Sequence, residues 1–307
     1  LGGKDLHLTI DSKVQYFAWQ KLRDAGIAQR AKGGSVVVLD VQTGEVLALA
    51  NYPSYDPNNR KNLTGEQLRN RALTDIFEPG STMKPVTVAL ALEQKKVTPN
   101  TVISTSPGRM TIGGATIGDV HNYGALTVNG VIQKSSNVGT VKIAQRMSRQ
   151  DMWDNFRNVG LGQKPDLPFP GIASGRLRPW KAWRPIEHAT MSYGYGLSTS
   201  LFQITRVYSV FARDGVMMPV SLVREGTADV RGRYQSVDAS QGVRVYSTKV
   251  ARDVMNMLHM VTQPGGTAQQ ARTSGYSVGG KTGTSRKQVG KSYSEKNYRA
   301  SFVGVAP

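Results

Sequence analysis

The sequence predicts an α+β domain whose antiparallel sheet is built from both ends of the chain and flanked by helices. Runs rich in β-branched residues occur near the start and the end of the chain, and apolar residues at helical spacing dominate the middle. An order with strands at the start of the chain, helices in the middle and strands at the end is expected of this fold class. We place the sheet part at about residues 1–50 and 265–307, and the mainly helical part at about 51–264.

The opening residues predict a strand, a helix and a hairpin. Residues 5–10, DLHLTI, alternate as a half-buried strand does, and residues 11–30 form a helix with Asp11 or Ser12 as its N-cap. Two strands then flank a turn at residues 42–44. The apolar stripe predicted for the helix consists of Val14, Phe17, Ala18 and Leu22.

The middle of the chain alternates between polar loops and helices. Residues 51–80 are loop-like with a short helix near Glu66–Arg71, a helix starts at Ser81, and a Gly/Thr/Ser-rich excursion extends through residue 125. A long connection rich in Pro and Gly covers residues 160–185. Further helices are predicted on both sides of residues 135–137 and at 148–160, 185–191, 200–214 and 247–262, and closing strands at 276–285 and 297–306.

Ser81 and Lys84 stand at the start of a predicted helix that is otherwise apolar, in FEPGSTMKPVTVALALEQ. Pro85 fits there because the first turn of a helix has no intrahelical partner for its N–H groups. Positions three apart share a helix face, so the hydroxyl and the amine point the same way. A serine N-cap beside a first-turn lysine is the ordinary interpretation. A buried lysine at the positive end of a helix dipole is instead driven toward its neutral form, which is a base.

Composition limits the classes of function. The 307 residues carry 18 more Lys and Arg than Asp and Glu, but the basic residues are scattered, without the aromatic-interleaved stripe of single-strand binders. There is no cysteine, which excludes disulfides and thiolate metal sites. The sequence contains no run of about 18 apolar residues, so it predicts no membrane span. The chain begins without methionine, and we expect a fragment from which an anchor or upstream domain has been removed.

Three polar signatures occur once each along the chain: Ser81-x-x-Lys84, Ser135-x-Asn137 and Lys281-Thr282-Gly283-Thr284. The first two serines are 54 residues apart, and the third signature begins 146 residues after the second. Each signature alone is weak. Together, in this order, at a helix start, an inter-helix junction and a strand, they are the motifs of class A β-lactamases and penicillin-binding proteins.

The chain resembles the transpeptidase domain of class B penicillin-binding proteins. The segments FEPGSTMKP, KSSN, SYGYGLS and GGKTGT are most similar to the septal, division-specific members. The resemblance implies the penicillin-binding/β-lactamase-like transpeptidase fold and a serine D,D-transpeptidase that cross-links peptidoglycan stem peptides, is acylated by β-lactams and uses no metal or cofactor. It also implies an upstream membrane anchor and pedestal domain that hold the enzyme at the periplasmic face of the inner membrane. Its partners would be stem peptides ending in D-Ala-D-Ala, a glycan polymerase and division proteins, not nucleic acid.

The resemblance implies a catalytic role for three residues. Ser81 would be the nucleophile, and Lys84 would take its proton once the lysine pKa falls below its ordinary value of about 10.4. Ser135 would relay that proton toward the leaving amine. The backbone N–H groups of Ser81 and Thr284 would form the oxyanion hole.

Other residues of the three signatures would bind the substrate. A strand ending in Lys281-Thr282-Gly283 can pair with an extended peptide, and the glycine permits close backbone approach. The lysine and the two threonines would hold the terminal carboxylate, and the asparagine a substrate amide. The substrate-binding residues expected from the signatures are Asn137, Lys281, Thr282, Gly283 and Thr284. The sequence alone favours a packing role for Tyr193 and Tyr195 in a glycine-loosened turn, whereas the family resemblance implies that they lie near the cleft and bind substrate.

Alternative functions on the same fold stay open. A β-lactamase needs a base that activates water, and no E-x-x-x-N pattern follows the second signature, where the acidic residues are Asp151, Asp154, Asp166 and Glu187. A β-lactam sensor would keep every signature, and a basic polyanion-binding module is the more distant alternative. A nucleophile elbow is not supported because G-x-S-x-G is absent. Metal ligation is not supported because His7, His121, His188 and His259 lack H-E-x-x-H spacing.

Overall fold

The computed structural model describes residues 5–224, 241–289 and 292–307. Antiparallel strands lie near both ends of the chain with helices between them, which confirms the predicted fold class. The helices are α1 Ser12–Ala28, α2 Gly65–Leu68, α3 Arg71–Thr74, α4 Lys84–Glu93, α5 Val128–Gln133, α6 Asn137–Ala144, α7 Arg149–Asn158, α8 Pro185–Ser192, α9 Leu201–Ala212 and α10 Thr248–Thr262. The strands are β1 Gly34–Leu39, β2 Val46–Tyr52, β3 Val102–Ser104, β4 Arg109–Ile112, β5 Ala115–Gly118, β6 Ala125–Thr127, β7 Val216–Met217, β8 Val243–Arg244, β9 Gly279–Val289 and β10 Ser292–Val305.

The strands pair as antiparallel ladders. β1 pairs with β2 in a register that sets Val37 opposite Leu49, and β9 pairs with β10 in a register that sets Thr284 opposite Ala300. Among the described residues these two hairpins are separate ladders, but both pack against α9. Strands from the two ends of the chain are therefore brought together by a shared helix.

The main hydrophobic core lies among α4, α5, α6, α9 and α10. Helix α4 is buried along almost its whole length, and it starts directly after a 3₁₀ turn at Gly80–Met83. Burying a side chain such as valine or leucine stabilises the fold by about 1.5–3 kcal/mol, so α4 is a rigid support for the polar residues at its start. Its buried apolar residues are Val86, Val88, Ala89, Ala91 and Leu92.

The strand predicted at residues 5–10 is wrong. This segment forms a single β-bridge from Leu8 to Val223, and Leu6 and Leu8 are 67% and 45% exposed. Thr9 is the inward residue, and its hydroxyl donates to the backbone oxygen of Val46 at 2.7 Å. Residues 5–8 are all exposed and only Thr9 is buried, so the predicted alternation is absent. Thr9 can be buried because its hydroxyl has a hydrogen-bond partner.

Helix α1 is confirmed with Asp11 as its N-cap, whose carboxylate accepts from two backbone N–H groups. Its predicted stripe is wrong at Phe17, which is 58% exposed. The helix instead approaches the sheet at Gly26, where a Cβ atom would stand 2.8 Å from the ring of Tyr52. Close contact through a glycine has no signature in an apolar pattern, so the sequence does not predict it.

The excursion through residue 125 contains strands β3 to β6, which the sequence did not predict because runs of three or four residues are too short for alternation to show. The short helix expected at residues 66–71 is divided into α2 and α3. Within the described ranges no helix is long and apolar enough to cross a membrane. The boundaries proposed near residues 50 and 264 stay a prediction, and residues 1–4 and 225–240 lie outside the described residues.

Candidate active site

The turn that carries Ser81 is fixed by close backbone packing. Gly80 has φ 58°, and its N–H donates to the backbone oxygen of Gly194 at 3.1 Å. A Cβ atom on Gly194 would stand 2.1 Å from the Gly80 oxygen, so glycine is required there. The N–H of Ser81 belongs to the first turn of this 3₁₀ helix, where no intrahelical carbonyl precedes it.

Two buried lysines meet at the hydroxyl of Ser135. Lys84 Nζ lies 2.9 Å from Ser81 Oγ and 3.0 Å from Ser135 Oγ, and it contacts the Ser135 backbone oxygen at 2.6 Å. Lys281 Nζ lies 2.9 Å from the same Ser135 Oγ. Both lysines are 0% exposed. The fold thus joins the three sequence signatures, from helix, inter-helix turn and strand, into one chain of hydrogen bonds.

Burial lowers the pKa of both lysine amines. The pKa of Lys84 lies well below its ordinary value because of burial and, secondarily, the charge of Lys281, while Asp119 opposes the shift. Burial lowers the pKa of Lys281 to about 7. A neutral Lys84 amine has two protons and one lone pair, so it can donate twice to Ser135 and accept the hydroxyl proton of Ser81. The geometry therefore supplies a base for the serine.

The turn between α5 and α6 is held from outside by Asp119, which the sequence analysis did not identify. Ser135 has φ 58°, in the left-handed region, and the hydroxyl of Ser136 accepts from the N–H of Gly139 at 2.8 Å. The Asp119 carboxylate accepts from the hydroxyl of Ser136 at 2.6 Å and from the N–H of Asn137 at 2.5 Å. The Asn137 side-chain amide donates to Gly118 O at 2.9 Å, and its contact with substrate stays a prediction.

Strand β9 places the third signature beside the Ser81 turn. A Cβ atom on Gly283 would stand 2.4 Å from Ser301 Oγ and 2.9 Å from Thr82 Cγ2. This glycine is therefore needed for packing against the turn, in addition to any substrate approach. The backbone oxygen of Thr284 lies 3.2 Å from the Cβ position of Gly80, so Thr284 is also adjacent to the nucleophile turn.

Thr267 is a neighbour of the third signature that the sequence did not reveal. Its hydroxyl lies 2.8 Å from that of Thr282, and it follows the loop in which Lys134 Nζ donates to the backbone oxygen of Gly265 at 2.8 Å. An isolated threonine in a Gly-rich loop carries no chemical signature of its own. Only the fold brings it to β9.

Comparison with known proteins agrees with this geometry. The family model of the penicillin binding protein transpeptidase domain matches residues 34–307. The chain belongs to the penicillin-binding protein transpeptidase family. The family expected from the motifs is thus confirmed.

Relatives of this transpeptidase domain align over nearly its whole length. The probable peptidoglycan D,D-transpeptidase PenA of Neisseria meningitidis is 44% identical over 305 residues, and the peptidoglycan D,D-transpeptidase FtsI of Escherichia coli is 40% identical over 304 residues. Each alignment covers 99% of this chain but 50% and 49% of those proteins, so the chain spans about half their length. The apo structure of the TP domain of Burkholderia pseudomallei penicillin-binding protein 3 has a TM-score of 0.87 at 50% identity, covering 100% of this chain and 85% of that chain.

The two tyrosines expected near the cleft of the transpeptidase domain differ in exposure. Tyr193 is 8% exposed and packs with Val141 and Ala189, and burial raises its pKa to about 12. Tyr195 is half-buried, and its hydroxyl accepts from the N–H of Arg286 at 3.4 Å, near the end of the β9 segment that carries the third signature. Tyr193 is placed as a packing residue and Tyr195 as a neighbour of β9, and contact of either with substrate stays a prediction.

Two of the four acidic residues considered as bases for water, Glu187 and Asp151, have other partners. Glu187 accepts from Arg178 at 2.9 Å and from the N–H of Arg184 at 2.6 Å, and despite partial burial these contacts lower its pKa to about 2. Asp151 lies in the first turn of α7, where its pKa is also lowered, mainly by Ser148. Over the described part of the transpeptidase domain, no group of three or more His, Asp or Glu side chains could hold a metal ion.

Proposed function

We propose that this domain cross-links peptidoglycan stem peptides by serine acyl transfer. The observation that carries the proposal is the hydrogen-bonded chain from Ser81 Oγ through Lys84 Nζ and Ser135 Oγ to Lys281 Nζ, with separations of 2.9–3.0 Å. A serine beside a buried amine is an activated nucleophile. Relatives that are similar over 99% of this chain are named peptidoglycan D,D-transpeptidases.

The first half-reaction forms an ester on Ser81. Its oxygen attacks the carbonyl of the penultimate D-alanine while Lys84 takes the hydroxyl proton. The oxyanion that forms would be held by the N–H groups of Ser81 and Thr284, because the Thr284 segment of β9 packs against the turn that carries Ser81. The C–N bond then breaks, and Ser135 passes the proton from Lys84 to the departing amine of the terminal D-alanine. Its hydroxyl touches both lysines, which suits it to this relay.

The second half-reaction uses the same groups in reverse. An amine from a neighbouring stem peptide attacks the ester, gives its proton to the base and leaves as an amide-linked product, while Ser81 recovers its hydroxyl proton. The carboxylates of Glu187 and Asp151 are engaged elsewhere, so neither is free to activate water for hydrolysis of the ester. The proposal therefore includes slow hydrolysis, which distinguishes this domain from a β-lactamase.

The donor peptide would lie along β9. The strand carries Lys281, Thr282 and Thr284, and a cation with two hydroxyls suits the terminal carboxylate of a D-Ala-D-Ala peptide. Asn137 lies across the site on α6, where its amide would bind a substrate amide. A β-lactam carries a comparable carboxylate beside a strained amide, so the same residues would direct its acylation of Ser81.

We also propose that the whole protein acts in septal cell-wall synthesis. It rests on the resemblance of FEPGSTMKP, KSSN, SYGYGLS and GGKTGT to division-specific family members. In the whole protein we propose an N-terminal anchor at the periplasmic face of the inner membrane, with a glycan polymerase and division proteins as partners.

The proposal is tested by intact-protein mass spectrometry after addition of benzylpenicillin. Wild type should gain one covalent adduct that persists for many minutes, and Ser81→Ala should gain none. Ser209→Ala is a matched control, because Ser209 is half-buried in α9 with its hydroxyl bonded to Arg206 O at 2.7 Å. An adduct that clears within seconds would instead assign a β-lactamase, and an unmodified wild-type protein would overturn acyl transfer altogether.

A further inference from the structure

Asp119 reaches across the site to the turn that carries Ser135. It follows β5, and its Oδ1 accepts from the N–H groups of Asn137 and Val138 at 2.5 and 3.0 Å. Its Oδ2 accepts from the hydroxyl of Ser136 at 2.6 Å. One carboxylate therefore binds three donors in three consecutive residues, and Ser136 among them is 0% exposed.

These contacts complete the start of α6. The hydroxyl of Ser136 already binds the N–H of Gly139, and Asp119 takes the two preceding N–H groups, which have no intrahelical partner. The Asn137 side chain returns a bond to Gly118 O at 2.9 Å, so the two segments are tied in both directions. The position of the turn relative to the lysines is therefore set by the loop after β5.

The charge of Asp119 also acts on the buried Lys84 amine. Lys281, from β9, lowers the pKa of Lys84, while Asp119 raises it. Tyr123, further along the same loop, faces Asp119, and both burial and that carboxylate raise its pKa. Ser136 binds the Asp119 carboxylate, and the preceding residue, Ser135, binds the Lys84 amine. The carboxylate and the amine are therefore held by neighbouring residues of one turn.

We propose that Asp119 is a positioning residue of the transpeptidase site, which holds the Ser135–Asn137 turn against Lys84 and Lys281 by a carboxylate bonded to three donors. The charge of that carboxylate has a second consequence: it keeps the Lys84 amine more basic than two adjacent buried lysines alone would allow. This inference rests on the proposed acyl transfer to Ser81, and it adds a residue outside all three sequence signatures.

The test compares the second-order rate constant for acylation by benzylpenicillin across pH 5–10 in wild type, Asp119→Ala, Asp119→Asn and Asp119→Glu, with thermal melting of each. Asp119→Ala should acylate about 10- to 100-fold more slowly, because small displacements of catalytic groups cost rates of that order. Asp151→Asn is the matched control, since it removes a carboxylate from the first turn of α7 instead. It should acylate at the wild-type rate.

The pH profile separates positioning from simple helix capping. Acylation needs neutral Lys84, so the rate rises with pH through the lysine pKa. Loss of the charge in Asp119→Asn lowers that pKa and should move the rising limb toward lower pH by about half a unit or more. Asp119→Glu keeps the charge, so its limb should stay at the wild-type pH even where its rate is reduced.

Three results would be decisive. Slower acylation with a displaced limb in Asp119→Asn, and an undisplaced limb in Asp119→Glu, supports the inference. If all folded variants acylated at the wild-type rate, with the rising limb of the pH profile at the wild-type pH, the inference about Asp119 would be overturned and the proposed function left intact. Absence of any adduct in wild type would overturn the proposed function, and this inference with it.

Discussion

Helix α4 contributes to two buried polar clusters that differ in charge. The lysine cluster, Ser81, Lys84, Ser135 and Lys281, holds two amines whose hydrogen-bond partners are neutral oxygens. The tyrosine cluster, Val86, Asn155 and Tyr246, is neutral: Tyr246 Oη donates to Asn155 Oδ1 at 2.8 Å, and Asn155 Nδ2 donates to Val86 O at 3.1 Å.

The two clusters serve different purposes, since the lysine cluster supplies reactive groups and the tyrosine cluster stabilises the fold. Buried neutral groups with complete hydrogen bonds contribute to the fold, and removing one partner leaves the other unsatisfied. A buried cation without an ion-pair partner is costly, and the cost appears as a lowered pKa that makes the amine reactive. Lys84 and Val86 are two residues apart on one helix, so the same apolar support serves both purposes.

The largest effect is expected from Lys84→Met, which removes the base and leaves the helix apolar. Acylation by benzylpenicillin should slow by more than about 10³-fold, within the range that positioned bases contribute. The free energy of unfolding should stay within about 1 kcal/mol of wild type or rise, because methionine is buried without the cost of depriving a lysine amine of its proton and of water. Intact-mass kinetics and urea unfolding measure the two quantities.

The matched control for that variant is Lys249→Met, whose side chain is 79% exposed on α10 and pairs with Asp253. It should acylate at the wild-type rate. Retention of more than a tenth of the wild-type rate by Lys84→Met would show that another group takes the Ser81 proton.

A change in the tyrosine cluster should have the opposite pattern. Asn155→Leu leaves the Tyr246 hydroxyl and the second lone pair of Val86 O without partners, so we expect a loss of about 2–3 kcal/mol in the free energy of unfolding. The acylation rate of the folded fraction should be unchanged. Urea unfolding measures the first quantity, and mass spectrometry at low temperature measures the second.

Asn158→Leu is the control on the same helix, because Asn158 is exposed on α7. Its effect should be under about 0.5 kcal/mol. A tenfold fall in acylation by folded Asn155→Leu would contradict the separation of the two clusters.

A smaller effect is expected in the pH dependence of stability. Burial lowers the pKa of Lys281 to about 7, whereas a lysine in the unfolded chain has a pKa near ~10.4. Between these values the unfolded state binds a proton that the folded state does not, so wild type gains stability relative to Lys281→Met as pH rises. From pH 7 to 9 the gain should be at least about 1 kcal/mol. If the free energies of unfolding of wild type and Lys281→Met instead changed with pH in parallel, the Lys281 amine would keep its proton in the folded state.

The lysine cluster was predictable where its geometry is local or its motif is distinctive. The three-residue spacing of Ser81 and Lys84 at a helix start places both groups on one face, as the structure has them. The position of Ser135 between two helices and of Lys281 in a strand also followed from periodicity and turn residues. Their convergence came from the family resemblance, because no local rule relates residues 146 positions apart.

Residues that act through tertiary contacts were missed for a physical reason. Asp119 caps α6 from 18 residues away in a segment read as a loop, and Thr267 reaches Thr282 across 15 residues. Capping rules consider the residue before a helix, and here that residue, Ser136, already satisfied them. For Tyr193 the sequence alone favoured packing and the resemblance a place near the cleft, and the structure shows that its ring is buried.

The central claim is that burial makes the Lys84 amine lose its proton well below the pH at which an ordinary lysine does. The most direct measurement is an NMR titration of lysine side chains labelled with ¹³C at Cε, in wild type and in Lys84→Met. The account predicts a resonance that titrates well below ~10.4 and is missing from the Lys84→Met spectrum. A wild-type protein in which every lysine titrates near ~10.4 would contradict it.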